Sequence, residues 1–191
     1  MTEQCTFLLL HSPLVGPLSW EFTAESLRRG GARAIVPPLT AVIDRGPGYY
    51  ERFAAAAGHA LGVGQGPVVL VGHSGAGALL PSVARTVGKD VRAAVFVDAL
   101  LPHPGQSFFD TVDEQLRDRL TALARGDRLP PWNEWFPLET FDALLPDSSL
   151  RDRFIAELPE VPLDFFTERA PEDGLPVSRC AYVRLSGAYD E

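Results

Sequence analysis

Val68-Val69-Leu70-Val71-Gly72-His73-Ser74-Gly75-Ala76-Gly77 is an aliphatic run that breaks into small residues around one serine. Four consecutive aliphatic side chains without polar alternation mark a strand buried on both faces. Gly75–Val87 then reads as a helix, kinked because Pro81 lacks the N–H owed to the Gly77 carbonyl. A serine on so tight a strand-to-helix turn takes a strained backbone, and residues 72 and 76 must be small to let the turn close. Helix N–H groups behind the serine favour negative charge, with the Gly75 N–H as the first donor. The alternative is a serine in a glycine-rich turn with no chemistry. The strand before it and the helix after it favour a nucleophile.

Working outward, the same alternation continues. Thr6–Leu10 reads as a strand ending at His11. Ser19–Arg29 has helical spacing, with Trp20, Ala24 and Leu27 on one stripe and Gly30-Gly31 as the stop. Ala32–Val36 reads as a strand closed by Pro37-Pro38, Tyr49–Leu61 as a helix, Pro67–Val71 as the strand before the serine turn, and Val91–Val97 as a long apolar strand ending at Asp98. Strands then give way to helices. Thr111–Arg125 is amphipathic, with Thr111 and Glu114 as a capping box. Asp147–Leu158 is a further helix, and Arg179–Leu185 returns to strand. The expectation is an α/β fold, a parallel sheet with helices on both faces. Chemistry in such sheets sits at the carboxyl ends of the strands. Those ends are His11-Ser12, Pro37-Pro38, Gly72–Ala76, Asp98 and Ser186–Asp190.

The 191 residues suit one domain, or one domain with an embedded subdomain, and 46% apolar with 22% charged residues excludes a disordered chain. No apolar run approaches the ~18 residues of a membrane span. Met1–Gln4 carries no basic segment ahead of Thr6–Leu10, so no secretory signal is expected. Cys5 and Cys180 are far apart, form no metal spacing and suit a reducing cytoplasm. A net charge of -8 argues against a nucleic-acid partner. Gly62-x-Gly64-x-Gly66 precedes a strand instead of following one, and the single lysine, Lys89, lies in no phosphate loop. No cofactor is therefore expected. The acids of Asp110–Asp118 read as a solvated helix face, so no metal is expected either.

The two halves differ in character. Residues 1–97 carry 13 of the 17 glycines and a net charge of +2, and residues 98–191 a net charge of -10. The expected division is an α/β core over 1–103, with the serine turn at 72–76, a mostly helical insert over 104–176, and a last core strand with its loop over 177–191. Trp132, Trp135, Phe136, Phe141, Phe165 and Phe166 are too many large aromatics for a linker. Most should pack the insert on the core, and a few should line an apolar pocket over Ser74, favouring a hydrophobic or aromatic acyl substrate.

The chain resembles the α/β-hydrolase fold family, and within it the compact branch of small esterases and hydroxynitrile lyases. Leu8-Leu9-Leu10-His11, with Trp20 after it, is similar to that branch's oxyanion strand and loop. Gly72–Ala76 is similar to its nucleophile elbow, with Ala76 where glycine is usual. Val95–Ala99 through Pro102–Ser107 looks like the strand that leads into its cap, and Ala181–Ser186 through Asp190 like the strand that delivers the triad acid. The resemblance implies a cofactor-free serine hydrolase acting on a small apolar ester, thioester or related bond. Ser74 would be the nucleophile and Asp190 the acid. Gly75 would supply one oxyanion donor. Pro13 has no N–H, so Leu14 or Ser12 would supply the second.

The family's catalytic histidine follows one more strand, and no histidine here lies beyond His103. His11 is expected to orient its loop, His59 to lie on a helix, and His73 to point away from Ser74 into the sheet. His103, five residues after Asp98, is the one placed to approach Ser74. Three readings follow: a truncated version of a longer hydrolase, which is the expectation preferred; a non-catalytic binding or scaffold protein that keeps the fold; or a base recruited elsewhere, such as His103 with Asp98. Asp98, in an apolar setting, should accept hydrogen bonds from loop N–H groups or from His103. The exposed edge of Arg179–Leu185 would invite a homodimer.

Overall fold

The computed structural model describes residues 5–62, 66–88 and 91–187. Five parallel strands form the sheet: β1 (Thr6–Leu10), β2 (Arg33–Ile35), β3 (Val68–Ser74), β4 (Val91–Ala99) and, after a long insert, β7 (Cys180–Val183). Their spatial order is β2-β1-β3-β4-β7, so the serine-bearing strand is central. Leu8, Leu70 and Ala94 are wholly buried, as unalternating apolar runs require.

Helices pack on both faces. Trp20 and Ala24, at the start of and within α1 (Glu21–Arg29), cover Leu9 and Val71 on one face. On the other, α2 (Tyr49–Leu61) and α3 (Leu80–Val87) bury Tyr49, Phe53, Ala57 and Val83 against Leu8, Leu10 and Leu70. The kink expected at Pro81 within one helix over Gly75–Val87 is a break: Gly75–Leu79 is a tight 3₁₀ turn, and α3 starts afresh with Pro81 in its first turn, where no N–H is owed.

Three expectations need correction. The helix expected over Thr111–Arg125 is two helices, α4 (Phe108–Thr111) and α5 (Glu114–Leu123). The capping box belongs to Ser107 and Asp110, and Asp113 caps α5 in place of Thr111. Strands do not stop after β4, since β5 (Arg128–Leu129) and β6 (Val161–Pro162) pair antiparallel within the insert. The short helices α6 (Leu138–Leu144) and α8 (Leu163–Thr167) flank α7 (Ser148–Ile155), and each starts just after a proline instead of a polar N-cap. Among the described residues no helix is long and apolar enough to cross a membrane.

The insert is pinned to the core at the start of α2. Gly48, which precedes α2, has a left-handed backbone and no side chain to cap the helix. Glu168 supplies the missing acceptors, taking the N–H groups of Gly48 (2.6 Å) and Tyr50 (3.2 Å), while the buried Tyr49 hydroxyl donates to Asp164 (2.5 Å). Two carboxylates of the insert thus meet the positive end of a core helix.

Candidate active site

The elbow is built by two strained residues on adjacent strands. Ser74 ends β3 with φ 52 and ψ -128, and Asp98 in β4 has φ 43. These are the only non-glycine residues with positive φ among the described residues, and each costs about 1–3 kcal/mol that the surroundings must hold. The register explains the pairing. His73 lies opposite Val97 and Ser74 opposite Ala99, so Asp98 is the extra residue of a β-bulge beside the serine. The Leu100 N–H donates to the Ser74 carbonyl (3.1 Å), tying bulge to elbow. A Cβ on Gly77 would lie 2.0 Å from the Leu100 carbonyl oxygen, so only glycine fits there.

The loop after β1 closes over the elbow. His11 is fully buried; its Nδ1 donates to the Ser12 carbonyl (2.9 Å) and its Nε2 accepts from the Leu39 N–H (3.1 Å). That pattern requires the neutral ring, and burial pushes its pKa down. The Leu14 N–H donates to Ser12 Oγ (3.3 Å) and the Val15 N–H to the Ser12 carbonyl (3.1 Å), curling the loop around Ser12. A Cβ on Gly75 would lie 3.3 Å from both Pro13 Cδ and Ser12 Oγ. The loop and the turn after Ser74 therefore face each other at van der Waals distance.

A cavity of about 500 Å³ opens above this junction. Ser12, Leu14, His73 and Ser74 line its core side, with Val15, Leu18, Ser19 and Phe22 from the segment leading into α1. Trp132, Phe141, Leu150 and Phe154 of the insert line the other side, together with Leu144 and Leu145. Among the described residues no charged side chain lines it. Of the six aromatics singled out, Trp132 and Phe141 border the cavity, edge-on to each other at 5.6 Å. Phe165 and Phe166 instead pack with Tyr49, Phe53, Phe108 and Phe109 against the core. Phe136 stacks edge-on behind Trp132, and Trp135 packs on the main core while its indole N–H donates to the Pro130 carbonyl. Phe154 and Leu150 carry no sequence signal of their own, because they are set among Ser148, Ser149, Arg151, Asp152 and Arg153, the composition of a surface helix.

The other candidate residues fall in different places. Asp98 does not line the cavity. Its carboxylate accepts from the Leu185 N–H and the Ser186 N–H, both at 3.2 Å, and from the Ser186 hydroxyl at 2.5 Å, so β4 holds the loop after β7. These hydrogen bonds, led by the Ser186 hydroxyl, keep its carboxyl below the usual carboxylate range. Next to it the Tyr182 hydroxyl donates to the Ala99 carbonyl and accepts the Ala99 N–H, both at 3.0 Å. His103 takes no part: it is buried edge-on to Tyr50, and neither ring nitrogen has a hydrogen-bond partner among the described residues. Burial pushes its pKa down. It does not line the cavity. His73 follows Val69 and Val71 on the face of β3 that packs under α1, edge-on to Trp20, and also borders the cavity beside Ser74. Its pKa is pushed down by burial, against the pull of Asp98. His59 is exposed on α2. Asp190 lies outside the described residues. Among the described residues no group of three His, Cys, Asp or Glu could hold a metal ion.

Residues 7–190 match the sequence pattern of the alpha/beta hydrolase family. The chain belongs to that family. A carbendazim hydrolyzing esterase of Nocardioides sp. (strain SG-4G) is 29% identical over 126 residues, which span 63% of this chain and 52% of that protein. The match thus spans about half the length of the curated relative. An extracellular alpha/beta-hydrolase from a Paenibacillus species superposes with a TM-score of 0.71 at 21% identity, covering 95% of this chain and 77% of that one. A pyrethroid hydrolase from Sphingobium faniae JZ-2 gives 0.63 at 19% identity, with 95% and 88% covered. At these identities the solved structures speak for the fold: a parallel α/β-hydrolase sheet with helices.

Proposed function

We propose that the chain is a serine hydrolase acting on a small apolar ester, thioester or related bond, with residues 104–176 as its cap. The observation that carries this reading is Ser74, held at positive φ on the floor of a cavity whose described lining holds no charged side chain. In the proposed reaction Ser74 Oγ attacks the carbonyl carbon. Negative charge then grows on the carbonyl oxygen, where the Gly75 N–H and an N–H of the Ser12–Leu14 loop stabilise it. Leu14 would give up its bond to Ser12 Oγ to do so. Asp190 would orient an imidazole, which these 191 residues do not supply, to take the serine proton and pass it to the leaving group as the carbonyl bond re-forms. The apolar walls favour substrates whose acyl and leaving groups are both uncharged, since a carboxylate would lose its hydration there without a partner. The relative named as an esterase supports the hydrolase reading.

The test is labelling by a fluorophosphonate probe, mapped by peptide mass spectrometry, on this chain and on a form extended at its C-terminus. An adduct on Ser74 that disappears in Ser74→Ala supports the reading. No adduct in either folded form overturns it. His11 and His103, both turned away from the cavity, favour a second reading in that event: a non-catalytic binding or scaffold protein that holds an apolar ligand without turnover.

A second copy of the chain is the proposed macromolecular partner. β7 is exposed along its length, with Tyr182 and Val183 both 42% exposed, and its outer edge invites pairing. Sedimentation should show a dimer that Val183→Lys reduces to monomer. A monomeric parent chain would exclude this partner.

A further inference from the structure

The 3₁₀ segment Pro17–Trp20 carries Leu18 and leads from the loop over Ser74 into α1. Its N-cap residue, Gly16, has no side chain to accept the segment's unpaired N–H groups. The acceptor comes from the insert instead. Glu157, just beyond α7, places Oε2 2.8 Å from the Leu18 nitrogen. Gly16 makes room for it. Its backbone, at φ -102 and ψ 178, suits any residue, so glycine is not needed for conformation. Yet a Cβ there would lie 2.3 Å from Glu157 Oε2 and 2.4 Å from Glu157 Cβ. The space above Gly16 is filled by the Glu157 side chain.

This contact ties together the two walls of the cavity. Val15, Leu18, Ser19 and Phe22 line one side, and Leu150 and Phe154 of α7 the other. Glu157 touches both segments and does not itself line the cavity. Arg153 and Glu21 bridge the same two segments at 2.9 Å, but in an exposed position where solvent weakens the pair.

We propose that Glu157 is a positioning residue for substrate binding, a latch from the cap that holds the Val15–Phe22 wall against α7 and so sets how fast an apolar ligand leaves. The proposal rests on reading the cavity as the substrate site, but its test needs no turnover. It fails or stands whatever the labelling of Ser74 shows.

The probe is N-phenylnaphthylamine, a neutral fluorophore that brightens in apolar surroundings, followed by stopped-flow dissociation. Leu18 amide exchange is read in parallel by NMR. Losing a hydrogen bond to a carboxylate should speed both about tenfold in Glu157→Ala. Gly16→Ala should do the same by expelling Glu157. The double variant should be no faster than either single one, because both remove one contact. Glu157→Gln keeps an acceptor of the same shape and should stay within about twofold of the parent, as should Arg153→Ala. If Gly16→Ala fails to fold, the contrast between Glu157→Ala and Glu157→Gln decides. A merely structural role would lower Tm and leave dissociation unchanged, which overturns the proposal. So would unchanged Leu18 exchange, additive effects, or no binding of the probe to the parent chain.

Discussion

Two groups of aromatic side chains in the insert look alike in sequence and do opposite work. Phe165 and Phe166, with Phe108 and Phe109, form a stack that closes on Tyr49 and Phe53 of the core. Trp132, Phe141 and Phe154 form a chain of ring contacts that faces the cavity. The difference lies in their neighbours. The first group is fastened by carboxylates, since Asp164 and Glu168 flank Phe165 and Phe166 and bind the start of α2. The second sits on α6, α7 and the 3₁₀ turn Trp132–Trp135, and its side of the insert is tied to the core by Glu157 on the Leu18 N–H and by the exposed Arg153–Glu21 pair. One end of the insert is an anchor and the other a wall.

Substitutions can break or sharpen this contrast. The largest effect is expected at the anchor: Phe166→Ala should cost about 3–5 kcal/mol of stability in urea unfolding, because Phe166 is 5% exposed amid other rings. A loss under about 1 kcal/mol would show that the anchor is not where the insert is held. Phe154→Ala, in the wall, should cost only about 1 kcal/mol, since the site is partly open, while admitting bulkier apolar ligands. Equal stability losses at the two sites would erase the distinction.

Tyr49→Phe removes only the hydroxyl that meets Asp164. It should cost roughly 1 kcal/mol, less than a sealed bond to a carboxylate, because Asp164 is exposed. The chemical-denaturation midpoint reports it.

Acid should destabilise the fold through its buried histidines before it reaches Asp98. His11, His73 and His103 all have pKa values pushed below 6.5 by burial. The unfolded chain binds their protons first, so stability is full above about pH 6.5 and falls as pH drops below it. Asp98, held below the usual carboxylate range, adds its own loss only at more acid pH, below 3.8. His103 has no hydrogen bond to forfeit among the described residues, so His103→Leu should flatten the fall in Tm between pH 7.5 and 5.5. An unchanged slope would assign the acid sensitivity to His11 and His73 alone.

Much of the core was legible from residue type alone. Tyr49–Leu61 was expected as a helix over its observed span, and the serine turn followed from apolar residues running into glycines. The missing N–H of Pro81 gave the place of the interruption, though as a kink and not as the break that is found. What could not be read was register. Nothing in Val95-Phe96-Val97-Asp98-Ala99 announces a bulge at Asp98, because the extra residue is defined only by its partner strand. In the insert, helices beginning after Pro137 and Pro162 carry no polar cap to mark them, and the acceptor for α2 lies more than a hundred residues away. Long-range capping leaves no local signal.

The pairing of β4 with β7 has a consequence in polymer terms. Ala94 lies beside Cys180, so the whole insert is a loop whose two ends are fixed at neighbouring strands. The entropy of closing a flexible loop grows only logarithmically, so doubling its length costs about 0.6 kcal/mol. The sheet is therefore nearly indifferent to how much chain lies between those strands. Cavity size and shape can drift through insertions and deletions between β5 and α8 while the strained serine keeps its place. Loop grafting from a longer relative, with the residues at both strand ends retained, is the engineering route that this topology leaves open.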